Sequence, residues 1–407
     1  MSVEKMTMSQ LTILQSPFPN SEQGRAALNP NRVRCARETA GLSKVQLAER
    51  LGVTSRTIAN YEEEGTPAAQ LRELSQALHT RPSFFTPSPS DPDIGDLSEG
   101  QVWFRSLRKS TVRQRRSAVG HGRYSLLFFH WIEEHFHLPQ CDLPMDEIDS
   151  SSTPKQTAIM LRGDWGYGEN PLPDMTALAE SHGIRVFSLP SVGKEVDAFS
   201  FVFNNVPYIA VDLQKSAERI RFDIAHEIGH LVMHENSLDE RTSMPSRDVE
   251  SEAHLFAANL LMPERRVKAI VPVHASLRDL LAAKKYFKVS AMAMARCAHE
   301  IGRLTDWEYR SMCSALTAKG YRAGEPNGIA LEQSKVFRFV AQSNRDRGIS
   351  TTTISEETGL TTQELHALSF GNLLAVTAAE KKPQHVEATA GQRPALSLHV
   401  NNEYQTE

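Results

Sequence analysis

The sequence lacks the features of a disulfide-stapled or membrane-embedded chain. It has only four cysteines and no CxxC pair, which argues against a disulfide framework and against a cysteine-based zinc site. No run of about 18 apolar residues occurs, so we expect no membrane span. The start, MSVEKMTMSQLTILQ, has no basic residues followed by a long apolar run, so we expect no signal peptide. We therefore expect a cytoplasmic protein with reduced thiols at Cys35, Cys141, Cys297 and Cys313.

The chain also lacks a strong net charge. Its formal charge of -4 does not indicate nucleic-acid binding, so any DNA-binding surface has to be a local patch. The content of 40% hydrophobic and 23% charged residues is ordinary for a globular protein. A length of 407 residues favours two or three domains over a single core.

Changes in composition along the chain predict its domain organisation. A Pro/Ser/Asp-rich run, TPSPSDPDIGDLSEG, cannot bury a core and predicts an exposed linker. Residues 101–137 have the pattern of one or two helices, with basic residues first and aromatics later. In chain order we predict a flexible tail (1–27), a helical domain (28–85), the linker (86–100), a helical connector (101–150), an α+β domain (151–270), a helical C-terminal extension (271–372) and a flexible tail (373–407).

The middle of the chain predicts a small sheet followed by two helices. Three β-rich runs are separated by turn residues, including Asn204 and Asn205, and favour an antiparallel meander. The runs are residues 184–189, 198–203 and 208–213, and the helices cover about 217–234 and 248–261, the second ended by Pro263.

The main chemical signal is the sequence FDIAHEIGHLVMH. His226, Glu227 and His230 fit the HExxH pattern, in which two imidazoles four residues apart on a helix reach one zinc ion. Glu227 is placed to take a proton from zinc-activated water. Ile224 and Ile228 predict a buried helix, where unpaired polar groups would be costly. The alternative is a solvated helix with incidental histidines.

The third ligand is predicted on the next helix. Helical spacing places Glu250, His254 and small residues on one side, so we choose Glu250 as ligand and keep Glu252 as the second candidate. Both carboxylates could instead lie on the surface. His234 is about 12 Å along the axis from His226, too far to share an ion, and is predicted to be a second-shell or capping residue.

These motifs resemble the ImmA/IrrE family of metallopeptidases. The resemblance covers about residues 155–265 and rests on ERIRFDIAHEIGHLVMH, ESEAHLFAANLLMP and the preceding PYIAVD. It implies zinc held by His226, His230 and Glu250, with Glu227 as the catalytic base. A sheet edge beside such a site can hold an extended peptide. His254 departs from the Asn or Asp usual in the family, and would orient a zinc-binding histidine from behind.

Residues 41–65 predict a helix-turn-helix. Ser43 is a plausible N-cap, Gly52 permits the turn, and Val53 and Ile58 would bury the second helix. Arg56 and Asn60 suit guanine and adenine edges, respectively. Lys44, and Arg34 or Arg37, would contact phosphate. The predicted outward residues of the second helix are Thr54, Ser55, Arg56, Thr57 and Asn60.

This segment resembles the Xre/Cro repressor family from about residue 32 to 85, including ANYEEEG and LRELSQALHTRPSFF. The resemblance implies a double-stranded DNA operator and a homodimer that meets successive major grooves. A helical domain that binds protein instead is the alternative. The basic run 103–117 could contact phosphate or form a solvated helix face. Residues 349–368 have a weaker helix-turn-helix pattern, for which helical packing is the preferred interpretation.

The predicted fold is multidomain: an all-α helix-turn-helix domain plus an α+β zincin-like domain with a helical C-terminal extension. The resemblances imply a regulator of bacteria and their mobile elements whose Zn²⁺-dependent endopeptidase cuts a repressor or the chain itself, for instance within the linker. Two alternatives stay open. One is a non-enzymatic repressor whose zinc domain is structural or sensing, and the other is an antitoxin that binds a toxin partner.

Overall fold

The computed structural model describes residues 27–95, 97–98, 102–104, 110–144, 152–190, 193, 196–234, 247–322, 324–373 and 399–400. The two predicted tails lie outside these ranges except at residues 27, 373 and 399–400, and so do residues 105–109 of the basic run. The predicted fold class is confirmed, because a helical N-terminal region precedes an α+β region with one small sheet and many helices. Within the described ranges, no helix is both long and apolar enough to cross a membrane.

The N-terminal region is a compact set of short helices with defined caps. Ser43 begins the second helix with a capping box, and Gly52 ends it in the left-handed region at φ 66°. Thr54 caps the third helix by accepting from the Thr57 backbone N–H. The helices are α1 (Pro30–Thr39), α2 (Lys44–Leu51), α3 (Ser55–Glu63) and α4 (Leu71–Leu78), around a core of Val33, Leu47, Ile58 and Leu74; the two-residue strands β1 (Ala27–Leu28) and β2 (Thr66–Pro67) pair beside them.

The predicted linker packs back onto this region over part of its length. Residues 88–90 are exposed, but Ile94 and Leu97 are each only 1% exposed. Asp91 accepts a hydrogen bond from Arg32 on α1 at 3.0 Å. The Pro/Ser/Asp composition obscured these anchoring residues, so the expectation of a fully exposed linker is wrong for its second half.

Residues 102–104 form strand β3 (Val102–Phe104), so the expectation of helix throughout 101–137 is wrong there. Helix α5 (Val112–His135) follows, and its middle is buried on all sides because the sheet and the C-terminal helices cover it. Phe128 of α5 stacks on Phe337, with ring centroids 5.2 Å apart. The long apolar part of α5 therefore packs against both the N-terminal and the C-terminal half of the chain. The two-residue strand β4 (Phe136–His137) directly follows α5.

The central sheet has strand order β3-β6-β7-β5, where β5 is Arg185–Leu189, β6 is Ala198–Phe203 and β7 is Val206–Asp212. The β6–β7 hairpin turns at Asn204 and Asn205, both with positive φ, as predicted. Strand β5 pairs with β7 in parallel, so the predicted antiparallel meander is wrong for this strand. The reason is that β5 is buried at every position, which is typical of a strand covered on both faces.

Helices α8 (Ala217–Met233) and α9 (Arg247–Leu261) pack side by side beneath the sheet. Helix α8 ends one residue before the predicted end because His234 is its C-cap. Gly229 permits the contact, since a Cβ there would lie 2.9 Å from Cδ1 of Phe256 and 3.3 Å from Cα of Ala253. Helices α6 (Pro154–Asp164) and α7 (Met175–Ser181) complete this layer, with α6 against α9.

The C-terminal helices return to the N-terminal region. Arg81 donates to Ser355 at 3.2 Å, and Gly359, at φ 73°, lies so close to Phe84 that a Cβ would be 2.8 Å from its Cα. Residues 349–368 thus pack in the protein interior, as the preferred interpretation expects. The helices are α10 (Glu264–Ile270), α11 (Leu277–Phe287), α12 (Ala291–Glu300), α13 (Asp306–Ala318), α14 (Lys335–Arg347), α15 (Thr351–Thr358) and α16 (Thr362–Leu368); strand β8 (His399–Val400) pairs with β4.

Substituting Gly229→Ala should destabilise the protein by about 1–3 kcal/mol, because the added methyl group forces α8 and α9 apart. The matched control is Gly163→Ala in α6, where a Cβ would meet nothing within 4 Å. This control should stabilise the protein by up to about 1 kcal/mol through helix propensity. Urea denaturation followed by circular dichroism measures both, and equal midpoints for the two variants would contradict the close approach.

Candidate metal centre and nucleic-acid interface

One helix supplies two imidazoles to a buried point between α8 and α9. His226 and His230 are one turn apart on α8 and are 1% and 0% exposed. Their Nε2 atoms are 3.1 Å apart, because residues four apart on a helix project from the same face. The two nitrogens therefore converge on one position instead of pointing to separate partners.

A carboxylate from the first turn of α9 completes the group. Glu250 has one oxygen 3.4 Å from His226 Nε2 and the other 3.3 Å from His230 Nε2. The ligand atoms of all three residues lie within 4.8 Å of one another. Donors placed about 2.0–2.1 Å from a tetrahedral zinc ion would be roughly 3.3–3.4 Å apart. The donor set and its spacing therefore fit zinc.

The carboxyl group of Glu250 is ionised at neutral pH. Burial alone raises its pKa, but hydrogen bonds with His226 and His230 outweigh burial and lower the pKa to about 2. A metal ligand has to be deprotonated, so the protein already presents this group in the binding form.

A chain of hydrogen bonds lies behind His230. Nδ1 of His234 is 3.3 Å from Nδ1 of His230, and Nε2 of His234 is 2.9 Å from Glu252. When His234 donates to Glu252 from Nε2, its Nδ1 accepts from His230, which leaves the His230 Nε2 lone pair for a metal. His234 is the C-cap of α8 and contacts His230, and its predicted role behind the ligands or as a cap stays a prediction. Glu252 contacts His234, whereas Glu250 contacts the two candidate ligands.

Glu227 faces the sheet. Its side chain is fully buried, and Ser200 on β6 donates a hydrogen bond to it at 2.6 Å. This contact fixes one carboxylate oxygen of the residue next to His226 in the chain. Sequence reasoning missed Ser200, although it is the one hydroxyl residue in the apolar strand AFSFVF and could have been noticed for that reason.

His254 lies one turn along α9 from Glu250 and is half-buried. Its ring is 4.9 Å from that of Phe222 and 6.4 Å from that of His226, measured between centroids. The orienting role predicted for it stays a prediction. His254, Phe222 and Asp223 also line a cavity of about 560 Å³, together with residues of later elements such as Tyr309 and Arg322.

The predicted DNA-reading residues lie on and before α3. Ser55, Arg56 and Asn60 are exposed, whereas Thr57 is half-buried. The hydroxyls of Thr54 and Thr57 are 2.8 Å apart, and the Thr54 hydroxyl also caps the helix. Both hydroxyls therefore already have a hydrogen-bond partner within the protein. Arg56 and Asn60 are therefore the residues best placed to contact bases.

A buried glutamate organises the cations near this helix. Glu62 of α3 is 1% exposed and pairs with Arg37, which is 4% exposed. Arg37 is thus enclosed in an ion pair, and the suggestion that it contacts phosphate is wrong. Lys44 lies 3.4 Å from Glu62, and the Arg34 guanidinium donates to the Glu62 carbonyl at 3.1 Å, but both side chains keep partial exposure.

Purified protein supplied with zinc should bind about one ion per chain. Glu250→Gln should abolish tight binding, and Glu252→Gln should weaken it about 10–100-fold because His234 loses its acceptor. Asp248→Asn, an exposed change on the same helix, is the control and should bind like the parent. Metal analysis after dialysis against a graded chelator measures this, and equal zinc content in all four proteins would contradict the assignment.

Two family models match the chain. Residues 33–85 match the helix-turn-helix family, and residues 179–301 match the family of IrrE N-terminal-like domains, Peptidase_M78. The second match includes the three candidate ligands and extends past residue 270, the predicted domain end, through α12. No match to the chain was found among curated proteins. The chain therefore joins an Xre-type helix-turn-helix DNA-binding domain to an ImmA/IrrE-type, metallopeptidase-like domain.

Proposed function

We propose that this chain is a transcription regulator whose zinc-dependent endopeptidase domain cleaves a regulatory protein, either a repressor or the chain itself. The observation that carries the proposal is the convergence of His226, His230 and Glu250, with separations of 3.1, 3.4 and 3.3 Å, beside the buried carboxylate of Glu227. Two imidazoles, one carboxylate and an adjacent glutamate are the donor set and base of a metal-dependent hydrolase.

Each residue of the site has a defined task. Zinc, when bound, supplies Lewis acidity toward water and the scissile carbonyl. Glu227 accepts the proton of the attacking water and passes it to the leaving amine. Ser200 donates to one Glu227 oxygen at 2.6 Å, which fixes the orientation of the carboxylate. His234 and Glu252 hold the ring of His230 in one tautomer.

The proposal of a polypeptide substrate rests on the donor set and the base, not on the cavity of about 560 Å³ beside His254. The residues that line this cavity, such as Met262 and Arg322, include none of His226, Glu227, His230 and Glu250, so the cavity does not define the substrate. For cleavage of the chain itself, the exposed residues 88–90 of the linker are the accessible part.

The helix-turn-helix domain supplies the regulatory half of the proposal. Arg56 and Asn60 remain exposed on α3, as base reading requires. The predicted homodimer would double the contacts of a domain that has little excess positive charge. The toxin partner of the antitoxin alternative stays a prediction.

Glu227→Gln should keep zinc and DNA binding but lower peptide-bond cleavage by at least about 100-fold, because the amide cannot take up the water proton. Cleavage of an unfolded protein such as casein, followed by gel electrophoresis and mass spectrometry, measures the loss. Glu169→Gln, on the surface, is the control. If Glu227→Gln still relieves repression in cells as the parent does, the non-enzymatic regulator is the correct function.

Arg56→Ala and Asn60→Ala should each weaken binding to a duplex selected from a random-sequence pool by about 1–3 kcal/mol, as expected for loss of a bidentate base contact. Arg72→Ala, exposed on α4, is the control for loss of one positive charge. Electrophoretic mobility shift at fixed salt measures the affinities. Unchanged affinity in both α3 variants would mean that the domain does not read DNA through this helix.

A further inference from the structure

Strand β3 occupies the sheet edge nearest the candidate catalytic base. It pairs antiparallel with β6, with Val102 opposite Phe201 and Trp103 opposite Ser200. Ser200 is the residue that donates to Glu227 at 2.6 Å. Neighbouring strands lie about 4.8 Å apart, so the backbone at residue 103 runs one strand spacing from the residue that holds the base.

This edge is where an extended peptide would add to the sheet. Helix α8 packs against β6 and β7, and the opposite edge, β5, is separated from β6 by β7. A peptide that pairs with β6 gains main-chain hydrogen bonds and passes directly by Glu227. In the sheet as described, β3 takes this position, so the groove along β6 already contains a segment of the same chain.

Strand β3 is not part of the segment that forms the rest of the site. It lies far upstream of residues 179–301, which match the IrrE N-terminal-like family and contain β6, α8 and α9. Among the described residues, β3 pairs with residues 199–201, which are half of the six-residue strand β6. The described anchor of β3 is Val102, which is 3% exposed. A longer peptide that pairs along all of β6 could therefore compete with it.

Leu97, which precedes β3 in the chain, is connected through Arg123 to the DNA-binding domain. Arg123 of α5 donates two hydrogen bonds to the Leu97 carbonyl, at 3.1 and 2.8 Å. The same guanidinium donates to Glu38 of α1 at 3.0 Å. Leu97, five residues before Val102, is therefore held by the same side chain that joins α5 to the helix-turn-helix domain.

We infer that β3 is a built-in occupant of a peptide-binding groove along β6, and that an extended, predominantly apolar peptide binds by taking its place. The inference rests on the proposed peptidase function for the meaning of the groove. In the parent protein, β3 would then block the substrate-binding edge of β6. A substrate strand would have to displace residues 102–104 before it reaches Glu227.

The test uses the zinc-loaded full chain carrying Glu227→Gln, so that binding is measured without cleavage. The probe is a fluorescein-labelled peptide of sequence QVWFRS, residues 101–106, and the readout is fluorescence anisotropy. Val102→Asp should release β3 and tighten peptide binding at least about tenfold, because the intramolecular competitor is removed. Val112→Asp, at the exposed start of α5, is the control and should bind like the parent.

Hydrogen exchange gives a readout that does not require an added peptide. Backbone amides of residues 198–203 should exchange faster in Val102→Asp, and adding the peptide should restore their protection. Trp103→Pro, which removes one backbone donor of β3, is the second variant and should behave in the same way. Circular dichroism identifies which variants are folded, and the comparison uses those.

Equal peptide affinity in the parent, the control and a folded β3 variant would overturn the inference, as would unchanged exchange of β6. Neither result bears on whether the Glu227-containing enzyme cleaves casein. Conversely, tightened binding without cleavage in any Glu227-containing form would support the occupied groove and contradict the peptidase function.

Discussion

The close approach of α8 and α9 at Gly229 is the constraint on which the candidate metal site depends. Phe256 and Ala253 of α9 occupy the space that a side chain at 229 would fill. Glu250 reaches the histidine pair only because the helices are this close: its oxygens lie 3.4 and 3.3 Å from the two Nε2 atoms. A wider separation would leave two buried imidazoles and a carboxylate apart, each with a desolvation cost and no shared ion.

Side-chain contacts from several elements position the residues of the candidate site. Ser200 contacts Glu227, His234 contacts His230, and Glu252 in turn contacts His234. No two of Ser200, His234 and Glu252 are neighbours in the sequence. The sheet holds Glu227, while the end of α8 and the start of α9 hold His230. The site is therefore positioned by tertiary contacts among several elements, although its ligands come from only two helices.

Local patterns predicted the parts of the structure that depend on short-range rules. The span of α8 to within one residue, the cap at Ser43 and the turn at Gly52 follow from helix periodicity and from the chemistry of capping. Pairings between distant residues were not predictable in this way. Strand β3 joins the sheet from far upstream, and the parallel pairing of β5 with β7 depends on what covers β5. The ion pair between Arg37 and Glu62 was not predictable either, because Glu62 lies on another helix.

The docking of Phe84 against Gly359 has a consequence for how the chain holds together. The final turn of the DNA-binding segment rests on a loop from the opposite end of the sequence, with a contact too close for a Cβ. Arg81 and Ser355 reinforce the same junction at 3.2 Å. The helix-turn-helix domain is thus not an independent unit joined to the rest by a flexible linker. It packs against the last helices of the chain, so a frameshift near the 3′ end of the gene would destabilise this domain without altering any residue within it.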